Sequence, residues 1–197
     1  MGPEKLKTFI DRSYRDVQKL SRLVEDMFDV SNLAENNMTM NFEYFNLEEL
    51  LDDILGRATQ KMKELKMNLK VGINAPVMVR WDSFRVEQVL FNLLSNAILY
   101  GRNSQIEFKA STGGGYVYIS VKDMGQGISR EKQKDIFNKY DSGSLNREIS
   151  GLGLGLYLAK EIIELHGGKI TVESALNKGS TFHIQVPVAP LLINRLT

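Results

Sequence analysis

Gly151-Leu152-Gly153-Leu154-Gly155-Leu156 runs into an apolar helical stretch that stops at His166-Gly167-Gly168. Twenty-eight residues upstream of Gly151, Asp123-Met124-Gly125-Gln126-Gly127-Ile128 closes a strand-like run. Further upstream, Asn92-Leu93-Leu94-Ser95-Asn96-Ala97 lies on a helical pattern. A glycine loop alone is weak evidence. Three polar or glycine-rich elements in this order, each beside an apolar element, describe a pocket with assignable parts.

Gly151, Gly153 and Gly155 enter a helix expected over 153–166. Backbone N–H groups at a glycine-opened helix start attract phosphate through unpaired donors and the helix dipole. Leu152, Leu154 and Leu156 would anchor that loop in the core. The spacing is not that of a P-loop, and it matches the dinucleotide fingerprint poorly. Asn92 and Asn96 are four apart and share a helix face, with Leu93, Leu94 and Ala97 opposite. Asparagine is a modest helix former, so the pair needs a reason. Either the amide oxygens serve Mg²⁺, which keeps waters and phosphate oxygens as its other ligands, or the pair is simply solvated. Asp123 ends an apolar strand. A partly dry carboxylate there accepts a hydrogen bond from an exocyclic amine such as that of adenine. The plain alternative is an Asp-Gly turn with no ligand. The polar segment 138–150 reads as a lid that orders over nucleotide.

The bulk properties narrow the remaining classes. The chain has 197 residues, 43% hydrophobic and 25% charged, with a net charge of +1. Nothing calls for nucleic acid or an acidic membrane surface as the main partner. There is no cysteine, which excludes disulfides and thiolate metal sites. His166 and His183 lack ligand-type spacing. No apolar run approaches a membrane span, and a reducing, cytoplasmic setting fits. Any membrane attachment would come from regions upstream.

Along the chain, residues 4–33 form one long helical pattern. Leu6, Ile10, Ser13, Val17, Leu20, Val24, Met27 and Ser31 alternate spacings of four and three, a heptad seam. Phe9, Leu23 and Val30 widen the stripe, as in a helical bundle; a single amphipathic helix folded onto its own domain is the alternative. Residues 34–45 read as a connector. Asn46 and Glu49 resemble a capping box for a helix at 47–66. Strands are expected at 68–73 and 77–81. Asp82 caps a helix running to Tyr100, whose apolar set is Phe84, Val86, Val89, Leu90, Leu93, Leu94, Ala97 and Ile98. Ile106–Ala110 and Tyr116–Val121 flank Gly113-Gly114-Gly115 as a hairpin. A short helix at 130–137 and strands at 169–174 and 180–188 follow, with an apolar tail at 189–197. The expected class is α+β: residues 46–188 form a two-layer α/β sandwich, one sheet with three helices on one face, preceded by the long helix of residues 1–33.

The set resembles the histidine-kinase branch of the superfamily that includes DNA gyrase, the MutL mismatch-repair ATPases and the Hsp-ninety chaperones. Asn92-Leu-Leu-Ser-Asn96-Ala looks like that family's N box, and Asp123-x-Gly125-x-Gly127-Ile128 like its first glycine box. Ile136-Phe137-Asn138-Lys139-Tyr140 is similar to its F box, and Gly151-Leu152-Gly153-Leu154-Gly155-Leu to its second glycine box. Glu164-Leu-His166-Gly-Gly and Lys178-Gly-Ser-Thr181-Phe match the closing segments. Arg22-Leu-Val-Glu-Asp-Met-Phe-Asp-Val-Ser31 looks like the second helix of the dimerisation and phosphotransfer hairpin. The resemblance implies a Bergerat-type ATP-binding fold with a mixed sheet. It implies that Asn96 holds Mg²⁺, Asn92 lines the phosphate side, and Tyr100 lies near the nucleotide. It further implies that Asp123 binds the adenine amine, Thr181 sits behind it, and Phe137 positions the lid. His166 reads as structural and His183 as a strand residue.

On this resemblance the chain is the ATP-binding catalytic portion of a two-component sensor kinase. The γ-phosphoryl group of ATP would pass to a histidine outside this chain, then to an aspartate on a response regulator receiver domain. In the full protein the N-terminal helix would form a homodimer. Two departures stand out. Leu99 occupies the position of a phosphate-contacting lysine, and Ser142 that of an arginine after the F-box aromatics. Lost cations weaken stabilisation of the transferred phosphoryl group; Arg102, Lys139 or Arg147 are the available substitutes. The competing expectation is a kinase-like signalling module that acts by nucleotide-dependent conformation or partner binding.

Overall fold

A computed structural model describes residues 2–65, 67–101, 105–139 and 153–190 of the chain. Helix α1, Pro3–Ala34, is long and amphipathic. Most of its heptad seam is exposed: Leu6, Ile10, Val17, Leu20, Val24 and Met27 all face solvent. Among the described residues its C-terminal end packs on the rest of the chain, where Val30 is buried against Leu154 and Leu158, with Leu33 and Tyr157 alongside.

The expected connector is shorter than 34–45, because Glu43–Asn46 forms strand β1. It pairs antiparallel with β3, Met78–Trp81, as a separate two-stranded sheet. Tyr44 and Phe45 are adjacent rather than alternating, whereas Val79 and Trp81 alternate in β3, which is why the sequence hides β1 and shows its partner. Asn46 caps α2, Leu47–Glu64, accepting from the Glu48 N–H, while its amide donates to Glu49 Oε1 at 3.1 Å. The expected box is thus present in altered form: Glu49 holds the capping side chain rather than the cap's backbone.

The main sheet is mixed, in the order β2-β4-β5-β7-β6. β2, Leu69–Asn74, runs parallel to β4, Ile106–Gly113. All other neighbours are antiparallel: β4 with β5, Tyr116–Asp123; β5 with β7, Gly179–Pro187; and β7 with β6, Lys169–Ala175. The parallel pair requires a crossover. α3, Ser83–Tyr100, lies in that crossover. α4, Gly155–Leu165, joins the polar half of the chain to β6. The expected helix at 130–137 is reduced to a 3₁₀ turn at Lys132–Lys134.

Alternation along the strands decides the layers. Ile106, Phe108, Val117, Ile119, Val121, Phe182, Ile184 and Val186 point inward and join the buried faces of α2, α3 and α4 in one core. Trp81 is fully buried and donates its indole N–H to the Pro187 carbonyl at 2.7 Å. Phe84 departs from the expected apolar set. It is 68% exposed and lies against the Arg85 guanidinium instead, because it stands about half a turn from Leu93, on the side of α3 away from the buried stripe.

Candidate functional site

α3 supplies one wall. Asp82 caps it by accepting from the Arg85 N–H at 3.0 Å, and Gly101 ends it. The buried face of Val89, Leu90, Leu93, Leu94 and Ala97 turns Asn92 and Asn96 toward the opposite, part-exposed side. Asn92 Nδ2 donates to the Gly155 carbonyl at 3.2 Å, tying α3 to the first turn of α4. The Asn96 side chain forms no hydrogen bond with the described residues, so its amide oxygen is available to a ligand. From Asn92 to Tyr100 the helix rises about 12 Å, the span between two ends of a pocket.

Asp123 marks the other end. It closes β5, is 5% exposed, and accepts from the Gly125 N–H at 2.8 Å. Burial pushes its carboxyl above the ordinary value, while the backbone N–H groups of Gly125 and Ser180 pull it partly back. A carboxylate in this state gains from a further donor, since hydrogen bonds to the charged form offset desolvation. Gly125 presses on the end of α3: a Cβ there would sit 2.0 Å from the Tyr100 carbonyl oxygen. Gly127 has φ +68°, and a Cβ would meet the Ala175 carbonyl oxygen at 1.9 Å. The glycines of this turn are therefore required by close backbone approach, whatever the ligand.

The turn is held from below by Ser174. Its Oγ accepts from the Ile128 N–H at 2.8 Å and donates to the Gly179 carbonyl at 2.8 Å. Ser174 has then used its only proton, so at 3.0 Å the Ser180 hydroxyl must donate to it. Gln133 braces the same loop through the Ile128 and Ser174 carbonyls. Ser180 pairs with Asp123 across β5 and β7, on the inner face. Thr181 pairs with Lys122, so strand alternation puts it on the opposite face. The expectation of Thr181 behind the adenine is corrected: Ser180 is the hydroxyl that shares Asp123's side. The alternation of β7 was readable in the sequence, but the strand pairing was not.

Phe137 packs edge-on against Phe182, centroids 6.4 Å apart, and Ile136 is buried beneath it. Leu154 is buried and Gly153 takes φ +70° as the chain enters α4. α4 has no side-chain cap, which leaves its first N–H groups open to an anion. Gly151 and Leu152 lie outside the described residues, as do Arg102, Tyr140, Ser142, Arg147 and the expected lid from residue 140 on. Leu99 is exposed, and Lys139 stacks over the Tyr157 ring at 5.1 Å.

His166 is wholly buried beside Phe42 and Trp81. Its Nε2 lies 3.0 Å from the Asp82 N–H, which can only donate, so the proton sits on Nδ1 and goes to the Ile162 carbonyl at 2.8 Å. Burial pushes the ring below its ordinary value. A neutral, doubly satisfied imidazole is a structural part and has no free nitrogen. A second polar link, at the C-terminal end of α1, has no signature in the sequence pattern. Asp29, 6% exposed, accepts from Arg85 at 2.7 Å and from Gln88 at 2.8 Å. Among the described residues no group of three or more His, Cys, Asp or Glu side chains could hold a metal. No described helix is long and apolar enough to cross a membrane.

Comparisons with known proteins agree with this geometry. The model of the family described as "Histidine kinase-, DNA gyrase B-, and HSP90-like ATPase" matches residues 81–190. The circadian input-output histidine kinase CikA of Synechococcus elongatus is 32% identical over 199 residues, covering 97% of this chain and 26% of CikA. The sensor protein SrrB of Staphylococcus aureus is 30% identical over 188 residues, covering 94% of this chain and 32% of SrrB. The chain thus spans about a quarter to a third of the length of these curated relatives. Among solved structures, the catalytic domain of histidine kinase ThkA superposes with a TM-score of 0.68 at 31% identity, over 77% of this chain and 98% of that one. ThkA in complex with the response regulator TrrA gives 0.71 at 27% identity, over 95% and 53%.

Proposed function

The chain belongs to the histidine kinase-, DNA gyrase B- and HSP90-like ATPase family, and from that premise we propose that it holds ATP between α3 and the Gly153–Gly155 turn and delivers its γ-phosphoryl group to a histidine. The observation that carries this reading is Asp123: a carboxylate at a strand end whose burial outweighs the backbone N–H groups that already donate to it, with Ser180 on the same face and Gly125 packed against the end of α3. An exocyclic amine supplies a further donor, as adenine does and guanine at that ring position does not. The phosphates then lie along α3 toward the open N–H groups of α4. Asn92 lines them, and Tyr100 borders the base. Ile128 and Phe137 wall the base side, with Gly125 and Gly127 shaping its floor and Leu154 seating the turn. Gly151 and Leu152 precede this turn in the sequence and belong to the same proposed set.

Asn96 fits a magnesium ligand, because its amide oxygen is partly exposed and unengaged on the phosphate side of α3. Asn96 would contribute one ligand to such an ion, which when bound would supply charge neutralisation at the phosphates. The rest falls to positioning by the chain itself, as expected where the transition state is loose. Lys139, over the Tyr157 ring, is the described one of the three cations that could take the role that Leu99 does not fill. Both histidines are accounted for elsewhere: His166 is locked and His183 lies on β7. The acceptor is therefore a histidine outside this chain, on the partner helix of the hairpin to which α1 contributes. The exposed seam of α1 is the surface for that helix and for a second protomer. A response regulator receiver domain then takes the phosphoryl group on an aspartate, the kind of partner ThkA is seen with. The setting is cytoplasmic, with any membrane attachment upstream.

The test supplies a histidine-bearing hairpin from the same protein in trans, with radiolabelled ATP and Mg²⁺. Label on the hairpin that is acid-labile and base-stable, and that disappears with Asn96→Ala, supports the reading. Tight ATP binding with no transfer contradicts the kinase assignment and leaves a nucleotide-binding signalling module.

A further inference from the structure

The face of the main sheet opposite the helices carries a cavity of about 350 Å³, lined by ten residues of which none is acidic. Strand register explains its composition. One cross-strand row reads Lys109–Ser120–His183–Thr171 over β4, β5, β7 and β6. The next row reads Ser111–Tyr118–Gln185–Lys169. The two lysines stand at diagonal corners, three strand spacings apart, about 14 Å across the sheet. Between them lie four hydroxyls, a carboxamide and the His183 imidazole, whose Nε2 makes no hydrogen bond and lies 3.7 Å from Glu173 Oε2. The neighbouring row, Glu107–Lys122–Thr181–Glu173, holds the face's acids. Glu107 is already engaged: its hydrogen bond with Lys109, aided by the charges of Lys70 and Lys122, holds its carboxyl below the ordinary value. Lys169 enters no ion pair among the described residues. A patch of donors bounded by ammoniums, with acids confined to one side, is complementary to a compact anion rather than to water alone. Its volume is at the small end for ligand sites.

We propose that this outer face is a second ligand site, for a small molecule bearing a phosphate group. Lys109 and Lys169 attract the anion, Ser120 and Thr171 donate to its oxygens, and the Tyr118 ring walls the remainder. The site is separate from the nucleotide pocket, although β5 and β7 carry residues of both.

The experiment is an NMR titration of this chain with inorganic phosphate at constant ionic strength set by chloride, following the ring protons of His183. The chain has two histidines, and His166, buried in the other layer, is the internal control. The His183 signal is expected to move along a saturable curve while His166 stays still. Lys169→Glu and Lys109→Gln should each weaken the curve by about tenfold, and Asp123→Ala should leave it in place. A still His183 signal, a drift that chloride alone reproduces, or a curve unaffected by Lys169→Glu overturns the proposal. So does a curve abolished by Asp123→Ala, which would assign the effect to the nucleotide pocket.

Discussion

Asp123 is held in a condition that folding alone would not choose. Its carboxyl is pushed above about 3.8 by burial. A group with a raised folded value contributes its full stability below the unfolded value, and that contribution is lost as pH rises through the folded value. At neutral pH the ionised side chain is therefore a cost that a ligand donor offsets. Asp123→Asn is predicted to melt at the same temperature as the parent or a few degrees higher at pH 7.5, with the difference shrinking toward pH 4; thermal unfolding across that range checks it. A fall in melting temperature at neutral pH would mean that the charge serves the fold. The neighbouring hydroxyls separate in the same way. Ser180→Val should weaken ATP binding by about tenfold or more, whereas Thr181→Val, on the far face, should leave it within about twofold, measured by calorimetry. At this scale chemistry and spacing coincide in the sequence at Asn92, Asn96 and Asp123, and the structure has the two asparagines part-exposed on α3 and Asp123 buried at the end of β5. The sequence misled at Thr181, because choosing between adjacent hydroxyls needs the β5–β7 register, a non-local fact.

Among the elements, α3 is where three demands meet. Its inner face fills the core, its polar face lines the pocket, and its first turn grips α1. Arg85 and Gln88 converge on Asp29, and the side chains of both Arg85 and Asp29 are largely removed from solvent. Removing one partner of a buried pair strands the other charge, at about 3–5 kcal/mol. Part of that cost is avoided here if the end of α1 lifts away and rehydrates Asp29. Arg85→Ala is therefore predicted to raise amide hydrogen exchange over the last turns of α1 while β4, β5 and β7 stay protected. Uniform protection loss would show that the link supports the whole domain. Helices and antiparallel strands of seven or more residues were legible from period and caps. β1 was not, because its apolar Tyr44 and Phe45 are adjacent rather than alternating, and neither was the 3₁₀ turn at Lys132–Lys134, whose polar residues carry no period. Phe84 shows the limit of counting apolar residues without their phase: it stands about half a turn from Leu93, on the side of α3 away from the buried stripe, and is exposed.

For the whole molecule, two layers and one appended helix divide the labour. The sheet and three helices enclose a single core that fixes the pocket, while α1 leaves an apolar seam in solvent. A seam of that length calls for partners, and Val30 packed on Leu154 and Leu158 places one end of α1 beside the helix that opens at the glycine turn. Strand order and the parallel β2–β4 pair were beyond the sequence, because pairing partners separated by a helix leave no local trace. The two-layer class was within reach, since alternating strands and amphipathic helices can bury their faces only against each other. The central claim, that a buried carboxylate selects an adenine amine in this pocket, is tested most directly by calorimetric titration of the chain with ATP and with GTP in the presence of Mg²⁺. ATP is predicted to bind at least about a hundredfold more tightly than GTP, and Asp123→Ala to lose that preference along with most of the affinity. Equal affinity for the two nucleotides, or a preference that survives Asp123→Ala, would contradict it.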